Sequence, residues 1–411
     1  MTLAQIAATK MYNVAQIGLR TLSTQTANIK KSVFISQSND VFTNLALEEW
    51  LYKNCDLNNH HILMLWQNDP CVIIGRHQNP WVEANVSNLP FITDAGIPLA
   101  RRNSSGDAFY QDRGNLNMTF FTPNSFSNHK HNLDLIKRAI FREYGLKVHV
   151  SSNEDLNIRN SKVSASSGRV GQSNAFHQCT LSINVDKVNL NQALQKFNDH
   201  IKSNAPKSTK SKVINLCEEN PRINVKGLLC AIGWEYMRTP VNSLKDGGKD
   251  LASQQNGFQM INPTEQWFPG KFKQHLSFAN SNVCITGLND IRETLCNWDW
   301  CYGKTPKFTF TKFFHVPDQF ASNYSGIGGD LSIKMVVEQG RVADVSLYVP
   351  QGLSSTGFSG EANVITSLKN HKFTEEAINS FELALCGNDS SLSDDRDKFI
   401  SECVRQVMTS V

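Results

Sequence analysis

The sequence predicts an α+β protein in two lobes, and three observations carry that expectation. The chain has 411 residues, more than the roughly 250 to 300 at which a single core stops growing. Residues 43–238 mix helical periodicities with short apolar strands, whereas beyond 307 the pattern becomes KFTFTKFF, LSIKMVVE and RVADVSLYV followed by two helices. Between the two patterns, 241–257 is rich in Asn, Ser, Lys, Asp, Gly and Gln with few apolar residues. That stretch reads as the end of the larger lobe, although a long surface loop has the same composition. The expected division is a leader over 1–30, a larger lobe over 31–257 and a smaller lobe over 258–411 that includes a connecting segment, without internal repeats.

In order along the chain, 43–54 sets Leu45, Leu47, Trp50 and Leu51 at helical spacing with Glu48 and Glu49 on the remaining face, which predicts a helix. The apolar runs 62–66 and 71–74 are separated by Gln67-Asn68-Asp69-Pro70 and predict a hairpin or a neighbouring pair of strands. Residues 118–121, 147–150 and 180–185 are further strand candidates. Helical periodicity returns at 132–144, 190–202 and 226–238, and the C-terminal helices fall near 374–386 and 393–408.

No acid precedes Asp40, while Lys10, Arg20, Lys30 and Lys31 lie among Ser, Thr, Gln and Ala. This is the composition of a mitochondrial transit peptide; Lys10, Asn13 and Gln16 break the apolar stretch that a secretory signal needs. No run approaches the roughly 18 to 20 apolar residues that span a bilayer, so no membrane span is expected. The net charge is +4, with Lys and Arg interspersed among 37 acids, so nothing resembles the clustered basic footprint of a nucleic-acid binder. The ten cysteines form no CxxC pair, which suits buried thiols in a reducing compartment and gives no structural metal site.

Three segments carry the chemistry. IIGRHQNPW (73–81), ARRNSSGDAFYQDRGNLN (100–117) and SKVSASS (161–167) each join small residues to fixed positive charge. That combination suits backbone closing around an anionic ligand. Arg101 and Arg102 offer planar donor forks, Gly106 lacks the Cβ that would keep main-chain N–H groups at a distance, and Lys162 adds a mobile point charge.

In order and wording these segments resemble the lipoate-protein ligase and lipoyltransferase family. Three more stretches extend the likeness: 44–49 (NLALEE), 175–181 (AFHQCTL) and 298–308 (WDWCYGKTPKF), so that it runs from about residue 39 to 310. It looks nearest to the animal mitochondrial lipoyltransferases. The resemblance implies a large mixed-sheet catalytic domain of the biotin/lipoate protein ligase type, a smaller α+β C-terminal accessory domain, and a place in the mitochondrial matrix. It also implies an acyltransferase that moves a lipoyl or octanoyl group to specific lysines of lipoyl domains in E2 subunits of 2-oxo acid dehydrogenases. The implied donor is lipoyl-AMP or an acylated glycine-cleavage H protein, with ATP and Mg²⁺ required only if the activation step is retained.

By the same resemblance, Lys162 lies between the acyl carbonyl and the phosphate, where it stabilises developing negative charge. Arg102, Asp107, Ala108, Phe109, Tyr110 and Thr180 carry over as lipoyl-adenylate contacts, with Tyr110 reading equally well as core. Gly75, Arg76, Arg101, Gly106 and His177 carry over to the lipoyl channel or its supports. Trp81 is open between packing and ligand contact, and either arginine could instead pair with Asp94 or Asp112. Cys179 raises a thioester route, for which a buried, inert thiol is the alternative. A non-catalytic binder of lipoyl domains is the reading from outside enzymology.

The chain departs from the family's wording at identifiable places. Ser104-Ser105-Gly106-Asp107 stands where relatives read Ser-Gly-Gly-Gly, and Tyr110-Gln111-Asp112 where they read Tyr-His-Asp. Ala165 replaces a glycine, Gln178 a second histidine, and Asn153 lies near a usual arginine. Asp107 sets negative charge beside an anionic ligand unless it points away or helps hold Mg²⁺, so ATP-dependent activation is the step these changes should weaken.

Overall fold

The computed structural model describes residues 29–195, 200–209, 211–239, 258–263, 287–317, 320, 329–351, 353, 359–363, 368–374 and 395–409. The leader up to residue 28, the 241–257 stretch and the helix expected after Thr374 lie outside them. From the N-terminus the elements are β1 (Lys30–Ser36), α1 (Val41–Asn54), β2 (His60–Trp66), β3 (Cys71–Ile74), α2 (Pro80–Glu83), β4 (Leu99–Arg101), β5 (Phe109–Gln111) and β6 (Asn115–Pro123). Then come α3 (His129–Tyr144), β7 (His149–Val150), β8 (Leu156–Ile158), β9 (Ser161–Lys162), β10 (Ser164–Val170), β11 (Asn174–Ser182) and α4 (Lys187–Ala193). The remainder is β12 (Ile201–Ser203), α5 (Leu216–Glu219), α6 (Val225–Arg238), β13 (Phe258–Ile261), α7 (Leu288–Cys296), α8 (Trp298–Cys301), β14 (Phe308–His315), β15 (Asp330–Glu338), β16 (Arg341–Val349), β17 (Gly360–Asn363) and α9 (Asp395–Thr409).

The large sheet has the strand order β10-β11-β6-β2-β1-β13. Its pairs are antiparallel from β10 to β2 and parallel from β2 through β1 to β13. Both faces are covered, which explains why β2 is apolar without a break from Ile62 to Trp66 and buried at all seven positions. One face packs Val33, Leu63, Met118, Phe120 and Leu181 against α3 and α6. The other packs Phe34, Met64, Trp66, Phe121 and Phe176 against α1 and α7.

Local signals set the helix ends. Thr43 N–H donates to the Asp40 carboxylate, capping α1, and Asn128 caps α3, which Gly145 closes in the left-handed region at φ 67°. The helix expected at 190–202 starts three residues earlier, because Asp186 accepts the N–H groups of Val188 and Asn189, and ends at Ala193. Residues 201–203 are instead a strand.

The runs 62–66 and 71–74 do not form a hairpin or a neighbouring pair. β2 pairs with β1 and β6, while β3 lies between β4 and β5 in a separate three-stranded sheet. The linking residues act as a crossing: Asp69 N–H donates to Asn39 O, and Asn68 is wholly buried. The sheets also do not part at residue 257. β13 pairs with β1 and α7 packs on α1, whereas β12 pairs with β14 in the five-stranded sheet β12-β14-β15-β16-β17. Among the described residues no helix is long and apolar enough to cross a membrane.

Candidate active site

A cavity of about 410 Å³ opens where β5, β9, the start of β10 and the end of β11 meet the 208–213 segment. It is lined by Asp107, Ala108, Phe109, Tyr110, Lys162 and Thr180 among the expected residues, and additionally by Glu83, Ser164, Ala165 and Ser208. Register brings these together. Ala165 lies opposite Thr180 across the β10–β11 pair, and Lys162 opposite Asn157 in the tight β8–β9 pair. The backbone of Lys162 is pinned from outside the hairpin, donating to Lys212 O at 2.8 Å and accepting from Ile214 N–H at 3.0 Å. Its Nζ lies 2.7 Å from Asp155 Oδ2, and Ser166 N–H donates to Asp155 Oδ1 at 3.0 Å. Burial raises the Asp155 carboxyl above its ordinary range, against the opposing pull of Lys162.

Ser208 ties that 208–213 segment, a strap along one side of the cavity, to the other walls. Its hydroxyl accepts from Ala108 N–H at 2.8 Å and from Gln78 Nε2 at 3.0 Å, and its own N–H donates to Glu83 Oε1 at 3.1 Å. Thr209 N–H donates to Asp107 Oδ2 at 3.2 Å. The Asp107 carboxylate therefore turns onto the strap. Neither Ser208 nor Asp155 was singled out by sequence; both lie in stretches that read as polar surface.

Behind Thr180 runs a buried chain of neutral polar groups. Thr180 Oγ1 donates to Asn117 Oδ1 at 2.7 Å, and Gln111 exchanges bonds with Asn117 at 2.7 and 3.0 Å. Asn68 donates to Gln111 at 2.6 Å, Asn44 to Asn68 at 2.8 Å, and Ser36 to Asn44 at 2.7 Å. Every side chain in it is at most 9% exposed, and the mutual pairing is what makes that burial tolerable.

Other expected residues lie elsewhere. Arg102 is fully buried outside the cavity lining; its guanidinium donates to Ser105 O and Asp107 O, holding the loop, and covers the Phe109 ring. Its Nη1 has no hydrogen-bond partner among the described residues. Arg101 is a staple, not an acid's partner: it donates to the carbonyls of Gly75, Arg76, Gln78, Trp300 and Cys301 and to Thr305 Oγ1. Arg76 reaches Asn103 Oδ1 at 2.9 Å and lies over Trp300.

The glycines serve close packing. A Cβ on Gly75 would meet Gly106 O at 2.3 Å; one on Gly106, at φ 111°, would meet Arg102 Nη2 at 2.8 Å and Ser166 O at 3.0 Å. Trp81 is core, its ring tilted against Tyr302 and Phe308 and edge-on to Phe373. His177 projects from the face of β11 opposite Thr180, stacked on His129 and bonded to Asn132, and burial pushes its imidazole down to about 3. Cys179 shares that core face, where burial pushes the thiol up to about 12; such a group is no nucleophile at neutral pH. Sequence also missed Glu48, which is buried, accepts from Thr119 Oγ1 at 2.6 Å and is pushed up to about 7 by desolvation.

Residues 40–231 match the Lipoyl protein ligase A/B catalytic domain. The chain is 35% identical over 317 residues to Lipoyl amidotransferase LIPT1, mitochondrial, of Mus musculus, spanning 77% of this chain and 75% of that protein. The chain belongs to the lipoate-protein ligase and lipoyltransferase family. The Homo sapiens protein of the same description is 36% identical over 283 residues, 68% of each chain. In fold, the family likeness extends to the crystal structure of P. falciparum LipL1 in complex with lipoate, with a TM-score of 0.52 at 22% identity over 92% of this chain and 99% of that one. As a member of this family the protein is an acyltransferase with a mixed-sheet catalytic body.

The residues present fit a triphosphate and its metal poorly. Asp107 and Glu83 already accept N–H groups of the strap, and Asp155 is shared between Lys162 and Ser166. Among the described residues no cluster of three His, Cys, Asp or Glu is spaced to hold a metal ion.

Proposed function

We propose that the protein moves a lipoyl or octanoyl group onto specific lysines of lipoyl domains in E2 subunits of 2-oxo acid dehydrogenases, taking it from lipoyl-AMP or from an acylated glycine-cleavage H protein. The observation that carries this reading is the convergence of Lys162, Asp107 to Tyr110 and Thr180 on one cavity. In the reaction, the neutral amine of the acceptor lysine attacks the acyl carbonyl. A C–N bond forms; with lipoyl-AMP the acyl–phosphate C–O bond breaks, AMP leaves with the electron pair and the amine's proton passes to solvent, whereas with acylated H protein the donor's amide C–N bond breaks and the departing lysine amine takes up the proton. The Lys162 ammonium stands where negative charge grows on the carbonyl oxygen and the departing phosphate.

The donor is tested by supplying purified protein and a lipoyl-domain acceptor with lipoyl-AMP, ATP plus lipoate, or acylated H protein, and reading the acceptor's intact mass. Product from lipoyl-AMP or H protein but not from ATP plus lipoate supports transfer without activation. Absence of product from every donor would leave the protein a binder.

Glu83 and Asp107 make the cavity a poor host for a triphosphate, and Asp107 also fastens the strap. Converting Ser105 and Asp107 together to glycine is expected to raise ATP-dependent pyrophosphate release more than it raises use of supplied lipoyl-AMP. Equal gains in the two assays, or none, would defeat this account.

Placement in the mitochondrial matrix is part of the same reading, supported by the acid-free composition before Asp40 and by the relatives' names. Deleting residues 1–27 is expected to leave transfer and thermal stability intact in vitro while stranding the protein in the cytosol of cells. Import of the truncated protein, or loss of its fold, would refute the transit assignment.

A further inference from the structure

Lys162 emerges from a strand of two residues, the shortest in the cavity wall, and a four-carbon stem ending in a point charge has many rotamers to lose. A lysine that must meet charge at a defined place needs its ammonium fixed beforehand. The backbone bonds to Lys212 and Ile214 fix where the stem starts. One contact fixes where it ends, the 2.7 Å approach to Asp155 Oδ2, with the two side chains 16% and 8% exposed.

We infer that Asp155 is the positioning residue for Lys162: its carboxylate, oriented by Ser166 N–H, takes one N–H of the ammonium and thereby aims the other two into the cavity. The inference rests on the reading of Lys162 as the group that stabilises charge during acyl transfer.

Three features distinguish this pair from an incidental ion pair. The carboxylate is held at both oxygens, Oδ2 by Lys162 and Oδ1 by Ser166 N–H at 3.0 Å, so it cannot swing with the lysine. Its neighbours Leu156 and Ser164 are themselves joined, Leu156 N–H donating to Ser164 Oγ at 2.7 Å, which locks β8 against β10. Finally, the pair is sheltered, and an ion pair shielded from solvent holds its geometry where exposed pairs do not. The charged groups facing Asp155 are Lys162 and, from the 102–108 loop, Asp107, which raises its carboxyl further. Asp107 is in turn held away by Thr209.

The test is a double-mutant cycle on the full chain with lipoyl-AMP as donor and a lipoyl domain as acceptor, comparing wild type, Asp155→Asn, Lys162→Ala and the double variant. Asn keeps an oxygen for Ser166 N–H, so thermal unfolding should move little. Asp155→Asn is expected to lower kcat by about 10²-fold, the scale of a roughly 1 Å misplacement, with KM for lipoyl-AMP little changed. In the Lys162→Ala background it should cause no further loss, because the residue acts through the lysine. A wild-type kcat in Asp155→Asn, or a full further loss in the double variant, would overturn the inference. Should Asp155→Asn not fold, Asp155→Glu decides: it keeps the charge but displaces it by one methylene, and unchanged kcat would overturn the inference equally. Should the wild-type protein be inactive with lipoyl-AMP, the same cycle is run with acylated H protein as donor and read by the same criteria; inactivity with both donors would remove the transfer reading and this inference with it.

Discussion

Replacing Lys162 by alanine is expected to cut transfer from lipoyl-AMP by ~10² to 10³, the usual cost of losing one preorganised donor to developing charge. The fold should survive, because Lys162 contributes to the structure mainly through backbone bonds to Lys212 and Ile214, which alanine retains. Asp155 loses the partner that opposes its burial, which pushes its already raised carboxyl further up. Arginine should not rescue activity. Its planar fork is larger than an ammonium and would have to enter a space that holds Nζ at 2.7 Å from Asp155. Stopped-time mass measurement of the acceptor checks both variants, and near-normal turnover in the alanine variant would remove Lys162 from the chemistry.

Arg101→Met should be the most damaging single change to stability. The guanidinium satisfies five backbone carbonyls and Thr305 Oγ1 in a fully buried position, joining the 75–78 turn to the 300–305 segment. Methionine fills part of the volume and removes the guanidinium donor from all of them, only Gly75 O keeping another among the described residues, in Gln78 N–H, at a cost on the order of 3 to 5 kcal/mol. Denaturant titration of wild type and variant at constant slope measures it. A difference below about 1 kcal/mol would mean the two segments hold together without the staple. Lysine should recover only part of the loss, since three donors on a single nitrogen cannot span acceptors lying on both segments.

The residues that proved readable from sequence are those whose surroundings leave a local record. β2 is covered on both sides and so is unbroken in apolar character from Ile62 to Trp66, and α3 carries its cap and its terminating glycine in adjacent letters. Lys162, Asp107 to Tyr110 and Thr180 were found together because each sits in a worded segment of a known family, and the cavity unites them. What stayed hidden depends on separation along the chain. Ser208 meets Gln78 across 130 positions and lies in a stretch, KSTKSK, that reads as solvated surface. The partners of β2 are β1 and β6, so the nearest apolar run, 71–74, misled by proximity. Arg102 had the chemistry of a ligand contact, and only the folded chain reveals that Nη2 is directed to its own loop while Nη1 has no hydrogen-bond partner among the described residues.

The buried polar relay has one direction from Ser36 as far as Asn117, into which Thr180 donates from the opposite end. Each amide offers oxygen to the residue before it and nitrogen to the residue after it, from Ser36 through Asn44 and Asn68 to Gln111, so no single amide can turn over without its neighbours turning as well. A row of dominoes stands between the first strand and the cavity wall, and the last piece fixes which way the Thr180 hydroxyl points. None of these groups ionises near neutrality, so acid or alkali within the living range leaves that orientation untouched, whereas an imidazole at Gln111 would have let the wall respond to pH.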